Sequence, residues 1–310
     1  GFGCNVPAIM ACRTIESRSS RLITILITPF MSCSARIPIY LLLAGTFFAA
    51  DAGLVMLGLY VLGIVLAVVT ARLMRRFLFP VDETPFVMEL PPYRLPTWKT
   101  TLSHMWDKCA QYLKKMGGMI LIASVVVWFL SYYPRTDATA GSEAHYENSY
   151  LGRLGKGCEP VFSPLGFNWK ASVALLSGLP AKEIVVSTLG VLYSEGATAA
   201  PAEEKVVIGG ADGVTEIIVE TAETTPTEAF RTAEDEETAS LSQRLLASGD
   251  FTMASALAFL VFILLYVPCI ATVVAIGSEA GWKWAAASVV YNTALAWFVA
   301  WIVYRIVLIF

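Results

Sequence analysis

The sequence has little of what an intramembrane enzyme would need. It contains only two histidines, and no aspartate lies in the core of any predicted membrane helix. A membrane hydrolase would require a pair of aspartates, an H-E-x-x-H sequence or a serine–histidine pair at membrane depth. His104 lies in an amphipathic stretch and His145 in a polar loop, where a lone histidine is expected to be solvated. These residues therefore argue against a membrane enzyme.

The chain also lacks the patterns that bind nucleic acids or nucleotide phosphates. Its net charge is −3, but residues 195–250 contain 13 acidic and three basic residues, so the rest of the chain is basic. A strongly acidic loop argues against nucleic-acid binding, which requires a basic surface. The sequence "GRLGKG" is not a phosphate-binding loop, because Gly157 stands where that motif requires Ser or Thr.

Apolar residues are in excess, and their distribution predicts a membrane protein. The chain is 56% hydrophobic with a mean hydropathy of +0.63, whereas soluble domains are about 45–50% apolar. A helix needs roughly 20 apolar residues to cross the bilayer. Five segments are predicted to cross it: residues 53–79, 117–133, 171–193, 251–276 and 284–310. Residues 21–50 predict a further, discontinuous crossing, because two apolar halves flank the polar residues 32–36.

The order of these segments predicts an all-α polytopic membrane protein, a helix bundle with discontinuous helices and two internal repeats. Arg72, Arg75 and Arg76 place the end of their helix on the cytoplasmic side by the positive-inside rule. The predicted divisions are a first broken helix (1–50), membrane helices with a cytoplasmic interfacial helix (51–133), an extracytoplasmic loop (134–169), a second broken helix (170–194), an acidic, largely disordered cytoplasmic insertion (195–250) and C-terminal membrane helices (251–310). The chain begins with Gly rather than Met, which predicts that an N-terminal part precedes it.

Four helix breaks are predicted at membrane depth, in "GCNVPA", "MSCSARIP", "LSGLPAKE" and "YVPC". Their prolines are Pro7, Pro38, Pro180 and Pro268. Non-helical backbone is tolerated in a membrane only where it is buried in protein or lines a watery cavity. The first and third breaks share a Pro-Ala pair with a Gly upstream. Such a repeat of broken helices is typical of the central site of a transporter.

The breaks contain candidate metal ligands. Cys4, Cys33 and Cys269 each lie beside or near a proline, and Asn5 and Glu183 lie in the first and third breaks. Thiols favour soft or borderline metals, whereas rings of oxygen ligands suit Mg²⁺. Three thiols on three helices, with an amide, a carboxylate and freed carbonyls, predict a transient path for Fe(II) or another late first-row divalent ion.

Each candidate also has a purely structural interpretation. A membrane cysteine is more often an apolar filler, a proline can kink a helix for packing, and Lys182 and Glu183 can pair with loops at the interface. The apolar sequence after Glu183 favours a functional carboxylate below the membrane surface. Other residues are predicted to be structural: Arg13 and Arg36 as helix-end anchors, Cys12, Cys109 and Cys158 as packing residues, and Gly45, Gly58 and Gly63 as close helix contacts.

Six motifs together resemble the membrane domain of bacterial ferrous iron transporters of the FeoB type. They are "GFGCNVPAIMACRT", "ILITPFMSCSARIPIY", "MELPPYRLPTWK", "SGLPAKEIVVSTLGVLY", "SALAFLVFILLYVPCIATVVAI" and "WKWAAASVVYNTALAWFVA". The resemblance runs from residue 1 to about residue 304, apart from the acidic insertion. It implies Fe(II) uptake by a multi-pass protein of the bacterial inner membrane.

The resemblance further implies which residues and partners take part. The two Pro-Ala breaks correspond to the family's paired Gate motifs, its proposed pore-lining cysteines fall on Cys4, Cys33 and Cys269, and its second-gate acidic residue falls on Glu183. It implies a cytoplasmic GTP-binding domain, with GTP and Mg²⁺, ahead of the membrane part. The chain itself is then expected to be neither an enzyme nor a holder of a cofactor. The partners that the resemblance implies are that GTP-binding domain and a small cytoplasmic A-type protein, while an oligomer is left open.

The residues alone leave alternative functions open. One is a Gate-family permease for a nucleoside or another small solute, and another is a permease for Mn(II) or Zn(II). The cysteine-rich, amide-poor breaks count against a nucleoside. A purely structural scaffold would need neither charges nor broken helices at membrane depth.

Overall fold

The computed structural model describes residues 1–78, 97–134, 143–193 and 241–309. The helices in these ranges are α1 (Asn5–Ala11), α2 (Arg18–Ile27), α3 (Ile37–Phe47), α4 (Ala52–Phe77), α5 (Trp98–Tyr132), α6 (Glu143–Asn148), α7 (Tyr150–Phe162), α8 (Trp169–Ser177), α9 (Ile184–Leu192), α10 (241–248), α11 (Met253–Leu265), α12 (Ile270–Glu279) and α13 (Trp282–Ile309). Short 3₁₀ turns lie at Cys12–Thr14, Thr28–Phe30, Ser34–Arg36 and Ser163–Leu165. No strand occurs in the described ranges, and the predicted all-α class is confirmed.

Four helical segments of the described chain are long and apolar enough to cross a membrane. They are Arg18–Phe47, Ala52–Phe77, Met253–Glu279 and Trp282–Ile309. The first and third contain breaks, and the other two are the uninterrupted helices α4 and α13. A multi-pass membrane protein is thereby confirmed. The predicted span at 171–193 is divided between α8 and α9, neither of which reaches membrane length alone.

The two uninterrupted membrane helices carry apolar surface that no described residue covers. Exposed side chains on them include Leu54, Leu57, Val61, Val65, Val68, Val290, Phe298 and Ile306. In water such a surface would be costly at about 25 cal/mol per Å². Within a bilayer the same side chains face lipid tails, which explains why these helices are apolar all round.

Helix α11 lies at the centre of the bundle. Eleven of its 13 residues are buried, and it packs against α13, α3 and α4. A helix that is hydrophobic on every face belongs in the interior. Its start is fixed by a capping box, in which Thr252 and Ser255 exchange side-chain and backbone hydrogen bonds. The helix ends at Leu265, because the backbone becomes extended at Tyr266.

The structure adds detail to the sequence predictions for residues 98–162 and differs from them at His145. The amphipathic stretch and the predicted span at 117–133 form one uninterrupted helix, α5, of 35 residues; its apolar part, Gly117–Tyr132, is short for a crossing. His145 is buried rather than solvated, because α6 turns its ring toward Tyr132 and Tyr146. The described part of the predicted extracytoplasmic loop is mostly helical, as α6 and α7.

The acidic insertion is shorter at its C-terminal end than predicted. Residues 194–240 lie outside the described residues. Residues 241–248 form α10, because Leu241 and Leu245 stand one helical turn apart and are buried in the core. Asp250 lies 3.9 Å from the ammonium of Lys170 on α8. Residues 241–248 are therefore part of the helical bundle.

Glycine contacts between helices are confirmed at one of three predicted positions. A Cβ atom on Gly63 would lie 2.7 Å from the carbonyl oxygen of Phe30, so α4 approaches the Thr28–Phe30 turn closely. Cβ atoms on Gly45 and Gly58 would meet nothing within 4 Å, because both glycines are on exposed helix faces.

Candidate functional site

Two broken-helix units face each other in the bundle. The first unit is residues 1–14 with residues 28–38, and the second unit is residues 177–184 with residues 265–272. In the first, the backbone N–H of Ser34 donates to the carbonyl of Gly3 at 3.1 Å, and its hydroxyl donates to the same carbonyl at 2.9 Å. In the second, the N–H of Ile270 donates to the carbonyl of Leu179 at 3.0 Å. Each unit thus joins two non-helical segments.

The predicted prolines occupy two kinds of position. Pro180 and Pro268 lie in the non-helical segments themselves. Pro7 and Pro38 lie in the first turns of α1 and α3, where the missing N–H of a proline leaves no helical bond unmade. The breaks at these two sites therefore precede the prolines, at residues 1–4 and 31–33.

All three predicted cysteine ligands stand immediately before a helix or 3₁₀ turn. Cys4 precedes α1, Cys33 precedes the Ser34–Arg36 turn and Cys269 precedes α12, each with extended backbone and no capping bond from its side chain. Cys269 Sγ instead lies 3.2 Å from the hydroxyl of Thr272. Exposure falls from Cys4, which is exposed, to Cys33 and Cys269, which are half-buried.

Helix starts in the bundle differ in their caps. Ser149, Asn168 and Thr252 each accept a hydrogen bond from a backbone N–H in the first turn of the helix that follows. Replacing such a cap typically costs about 1 kcal/mol. The three cysteine positions lack such a bond, as do the starts of α4 at Asp51 and α5 at Thr97.

A buried cation lies in each unit. Arg36 is 1% exposed and donates through Nη2 to the carbonyl of Pro29 and through Nη1 to that of Met31, both at 3.3 Å. Lys182 is 3% exposed, and its Nζ donates to the carbonyl of Val267 at 2.7 Å. These carbonyls belong to the backbone that the breaks remove from the helices. The prediction that Arg36 is a helix-end anchor is wrong, since the polar backbone of the break draws it inside.

The two units meet near the two buried cations. Lys182 lies within electrostatic range of Arg36, Cys33 and Cys269. Its Nζ is also 3.0 Å from the centre of the Tyr266 ring. Among the described residues no carboxylate pairs with either cation. Two thiols and two cations thus surround one buried region where the breaks meet.

The two predicted oxygen donors differ in burial. Glu183 precedes α9, and its side chain is exposed on the surface of this chain. Asn5 is buried at the start of α1, and its Oδ1 has no hydrogen-bond partner among the described residues. No three His, Cys, Asp or Glu side chains of residues 1–78, 97–134, 143–193 and 241–309 come together as a metal-binding group. The arrangement is not a closed structural metal site.

A small cavity adjoins the second unit. It has a volume of about 190 Å³ and is lined by Ser124, Trp128, Ser131, Tyr146, Ser177 and Thr188 among others. The hydroxyls of Ser177 and Thr188 lie 2.8 Å apart and link α8 to α9 beside the break. The lining is mixed, because Val127, Leu151 and Ile184 contribute apolar surface beside these hydroxyls.

An ion pair links the first unit to α12, the helix that leaves the second. Arg13 Nε donates to Glu279 Oε2 at 2.7 Å, and Nη2 donates to the other carboxylate oxygen. The hydrogen bond to Glu279 raises the pKa of the Arg13 guanidinium, which keeps it charged. Arg13 is therefore a helix-end residue as predicted, but one with a specific partner on α12.

Residues that the sequence did not single out complete the site. The Val267 carbonyl and the Tyr266 ring hold Lys182, and Ser34 holds the Gly3 carbonyl. Only the proximity of Tyr266 and Val267 to Pro268 could have drawn attention to them. Every residue has a backbone carbonyl, so the sequence alone does not show which carbonyl takes part in a site.

Two family models match the chain. The Gate family, described as nucleoside recognition, matches residues 1–47 and 113–283. The family described as the ferrous iron transport protein B C terminus matches residues 56–108, in the gap between the two Gate parts.

Relatives with curated names match almost the whole chain. It is 49% identical over 343 residues to the Fe(2+) transport protein A/Fe(2+) transporter FeoB fusion protein of Porphyromonas gingivalis, covering 100% of this chain and 37% of that protein. It is 38% identical to the Fe(2+) transporter FeoB of Methanocaldococcus jannaschii, over 98% of this chain and 40% of that protein. It is 36% identical to the Fe(2+) transporter FeoB of Helicobacter pylori, over 96% and 46% respectively. No solved structure matches the chain.

These relatives are more than twice as long as the part that the chain matches, so the chain corresponds to under half of each. The Gate match covers both broken-helix units and most of the helices around them. The chain belongs to the Gate family and forms the C-terminal membrane part of a FeoB-type protein.

Proposed function

We propose that this chain is the permease part of a ferrous iron uptake system. The observation that carries the proposal is the position of Cys4, Cys33 and Cys269 at uncapped helix starts in two broken units that meet. The relatives' names, Fe(2+) transporter FeoB, support Fe(II) as the cargo.

The chemistry of the breaks suits an ion that binds and leaves. Thiols and freed carbonyls favour a borderline divalent metal over Mg²⁺, which holds its water shell tightly. A chain of separated weak sites, without a closed set of ligands, allows release as well as entry. In this proposal the thiols of Cys33 and Cys269 give selectivity for Fe(II). Cys4 and Asn5 are further ligands along the path in the first unit. Glu183 compensates the charge of the ion at the start of α9.

The larger protein would supply the control. The proposal places a GTP-binding domain, with GTP and Mg²⁺, before this chain on the cytoplasmic side of the bacterial inner membrane. That domain would be the GTPase, and the permease part would not itself be an enzyme. The fusion of an Fe(2+) transport protein A with the transporter in the Porphyromonas gingivalis relative supports a small A-type protein as a partner.

A nucleoside permease is the alternative that the Gate description raises. The names of the relatives do not favour it, and neither do breaks rich in thiols and poor in amides. Mn(II) and Zn(II) are closer competitors, since both accept thiol ligands. These alternatives are compared directly in the test.

The test uses the full-length protein in proteoliposomes under anaerobic, reducing conditions with GTP supplied. Uptake is measured for Fe(II), Mn(II), Zn(II), Mg²⁺ and uridine. The unsubstituted full-length protein, called the parent, is compared with a Cys4→Ser/Cys33→Ser/Cys269→Ser variant. Cys158→Ser is the matched control. We expect selective Fe(II) uptake that the triple variant loses at least about tenfold, as expected when ligands that favour borderline metals are removed, and that the control retains.

Two outcomes would contradict the proposal in different ways. Uridine entry without Fe(II) entry would overturn iron transport itself. Fe(II) entry unchanged in the triple variant would leave iron transport standing but remove the thiols from the path.

A further inference from the structure

The environment of Lys182 is the environment of a bound cation. Its Nζ has the Val267 carbonyl oxygen at 2.7 Å and the face of the Tyr266 ring at 3.0 Å. The side chain is 3% exposed, and among the described residues no carboxylate pairs with it. An ammonium buried in this way is unfavourable unless the groups around it replace its water. A carbonyl dipole and an aromatic face are the groups that do so here.

The same groups suit a metal cation. Carbonyl oxygens freed from a helix replace the hydration shell of ions in membrane proteins. Cys269 begins α12 two residues after Val267, and its thiol, like that of Cys33, lies within electrostatic range of Lys182. A position with a carbonyl, an aromatic face and two nearby thiols would hold Fe(II) if the ammonium were elsewhere.

We propose that Lys182 is a tethered competitor that fills a cation site made by the Val267 carbonyl, the Tyr266 ring and the Cys269 thiol, and that the transported Fe(II) takes the site when Lys182 withdraws. The inference rests on the proposed iron transport and names where along the path the ion is held. A dication and an ammonium cannot share one position, because their repulsion at contact distance in a buried site is several times RT.

The segment that carries Lys182 is suited to such a movement. It lies between α8 and α9, outside any helix, and one backbone bond from Ile270 to Leu179 ties it to the opposite break. The long lysine stem bends freely, and its single ammonium makes one hydrogen bond to protein. With Lys182 in place the path would be closed to other cations, which would limit leakage.

Metal binding tests the inference separately from transport. The full-length protein in detergent is dialysed to equilibrium with Fe(II) under anaerobic, reducing conditions, and bound iron is measured by elemental analysis. We expect Lys182→Met and Lys182→Gln to bind Fe(II) at least about tenfold more tightly than the parent, because a competing charge is removed. Adding Cys269→Ser to Lys182→Met should reverse most of that gain.

Lys170→Met provides the matched control. Lys170 also lies over a tyrosine ring, that of Tyr193 at 4.8 Å, but it faces Asp250 and stands at the start of α8. Its replacement should leave Fe(II) affinity unchanged. Affinity in both Lys182 variants equal to or weaker than in the parent would overturn the inference and make Lys182 a structural cap for Val267.

A second measurement, chemical labelling of lysines, uses the unsubstituted protein, so it does not depend on whether a variant folds. The parent is treated with an amine-acylating reagent with and without Fe(II), and modification is located by mass spectrometry. We expect Fe(II) to increase labelling of Lys182 and to leave that of Lys170 unchanged; equal labelling of Lys182 in both conditions would contradict displacement. If the parent transports no Fe(II), the proposed function fails, while these binding and labelling results still decide the role of Lys182.

Discussion

The two broken-helix units are built alike but hold their freed backbone with different cations. In each, the residue after a cysteine donates its N–H to a carbonyl of the opposing segment: Ser34 to Gly3 and Ile270 to Leu179. In each, a buried cation then takes carbonyls that the break removes from a helix. The first unit uses Arg36 for two carbonyls, and the second uses Lys182 for one.

Because of this difference, the carbonyls of the first unit are held more firmly than the carbonyl of the second unit. The first unit is called the fixed unit below. The planar guanidinium of Arg36 bridges the carbonyls of Pro29 and Met31 and holds both ends of one turn. Lys182 makes a single point contact on a flexible stem, and its withdrawal frees only Val267. The comparison indicates that the first unit is the more firmly held, and it agrees with the proposal that a transported ion displaces Lys182 in the second.

The largest effect should come from removing the fixed cation. Arg36→Met would leave two buried carbonyls without a donor, and each such loss costs about 1–3 kcal/mol. We expect the variant to lower the free energy of unfolding by about 3 kcal/mol, and Lys182→Met by about half of that, since one carbonyl loses its donor. The midpoint of thermal unfolding of the full-length protein in detergent ranks the two variants.

The exposed Arg18 gives the control for this ranking. Arg18→Met should leave the unfolding midpoint unchanged, because no buried group depends on it. A Lys182 variant less stable than the Arg36 variant would break the comparison, since the second unit would then be the more firmly held.

A smaller effect should follow from pushing α4 away from the first unit. A Cβ at Gly63 would lie 2.7 Å from the Phe30 carbonyl oxygen, just before the break at 31–33. Gly63→Ala should therefore destabilise the protein by about 1–3 kcal/mol through overpacking. Gly58→Ala, on an open face of the same helix, should be neutral or slightly stabilising. Paired thermal unfolding of these two variants measures how far the fixed unit relies on α4; equal midpoints would show that the turn moves freely.

Much of this organisation could be predicted from local sequence. Proline and glycine act on the residues beside them, so the breaks at residues 178–183 and 266–269 and the discontinuous segment at 21–50 were predictable. The membrane-length helices followed from composition. The bounds of the helix at 117–133 could not be predicted in this way, because nothing in the sequence separates that segment from the amphipathic stretch with which it forms α5.

The centre of the site could not be predicted, because it depends on contacts between distant segments. The sequence shows Lys182 as a charge beside Pro180, and only the carbonyl of Val267, 85 residues away, explains its burial. Nothing in the sequence distinguishes Lys182 from Glu183 in burial, although Lys182 is buried in the chain and Glu183 is exposed on it. Gly58 and Gly63 look equivalent in the sequence of α4, although only Gly63 faces a neighbouring segment.

The smallest effect should come from the ion pair that joins the first unit to α12. The bidentate Arg13–Glu279 contact is half-open to solvent on the arginine side, and exposed pairs typically contribute about 0.2–1 kcal/mol. A double-mutant cycle with Arg13→Ala and Glu279→Ala should therefore give a coupling energy in unfolding of about 0.5 kcal/mol, reduced by high salt. Because Glu279 ends the helix that Cys269 begins, breaking this pair also loosens the second unit from the fixed one. Faster Fe(II) exchange in Arg13→Ala with little loss of stability would show that the two units move relative to each other; a coupling above about 2 kcal/mol would show that they act as one rigid body.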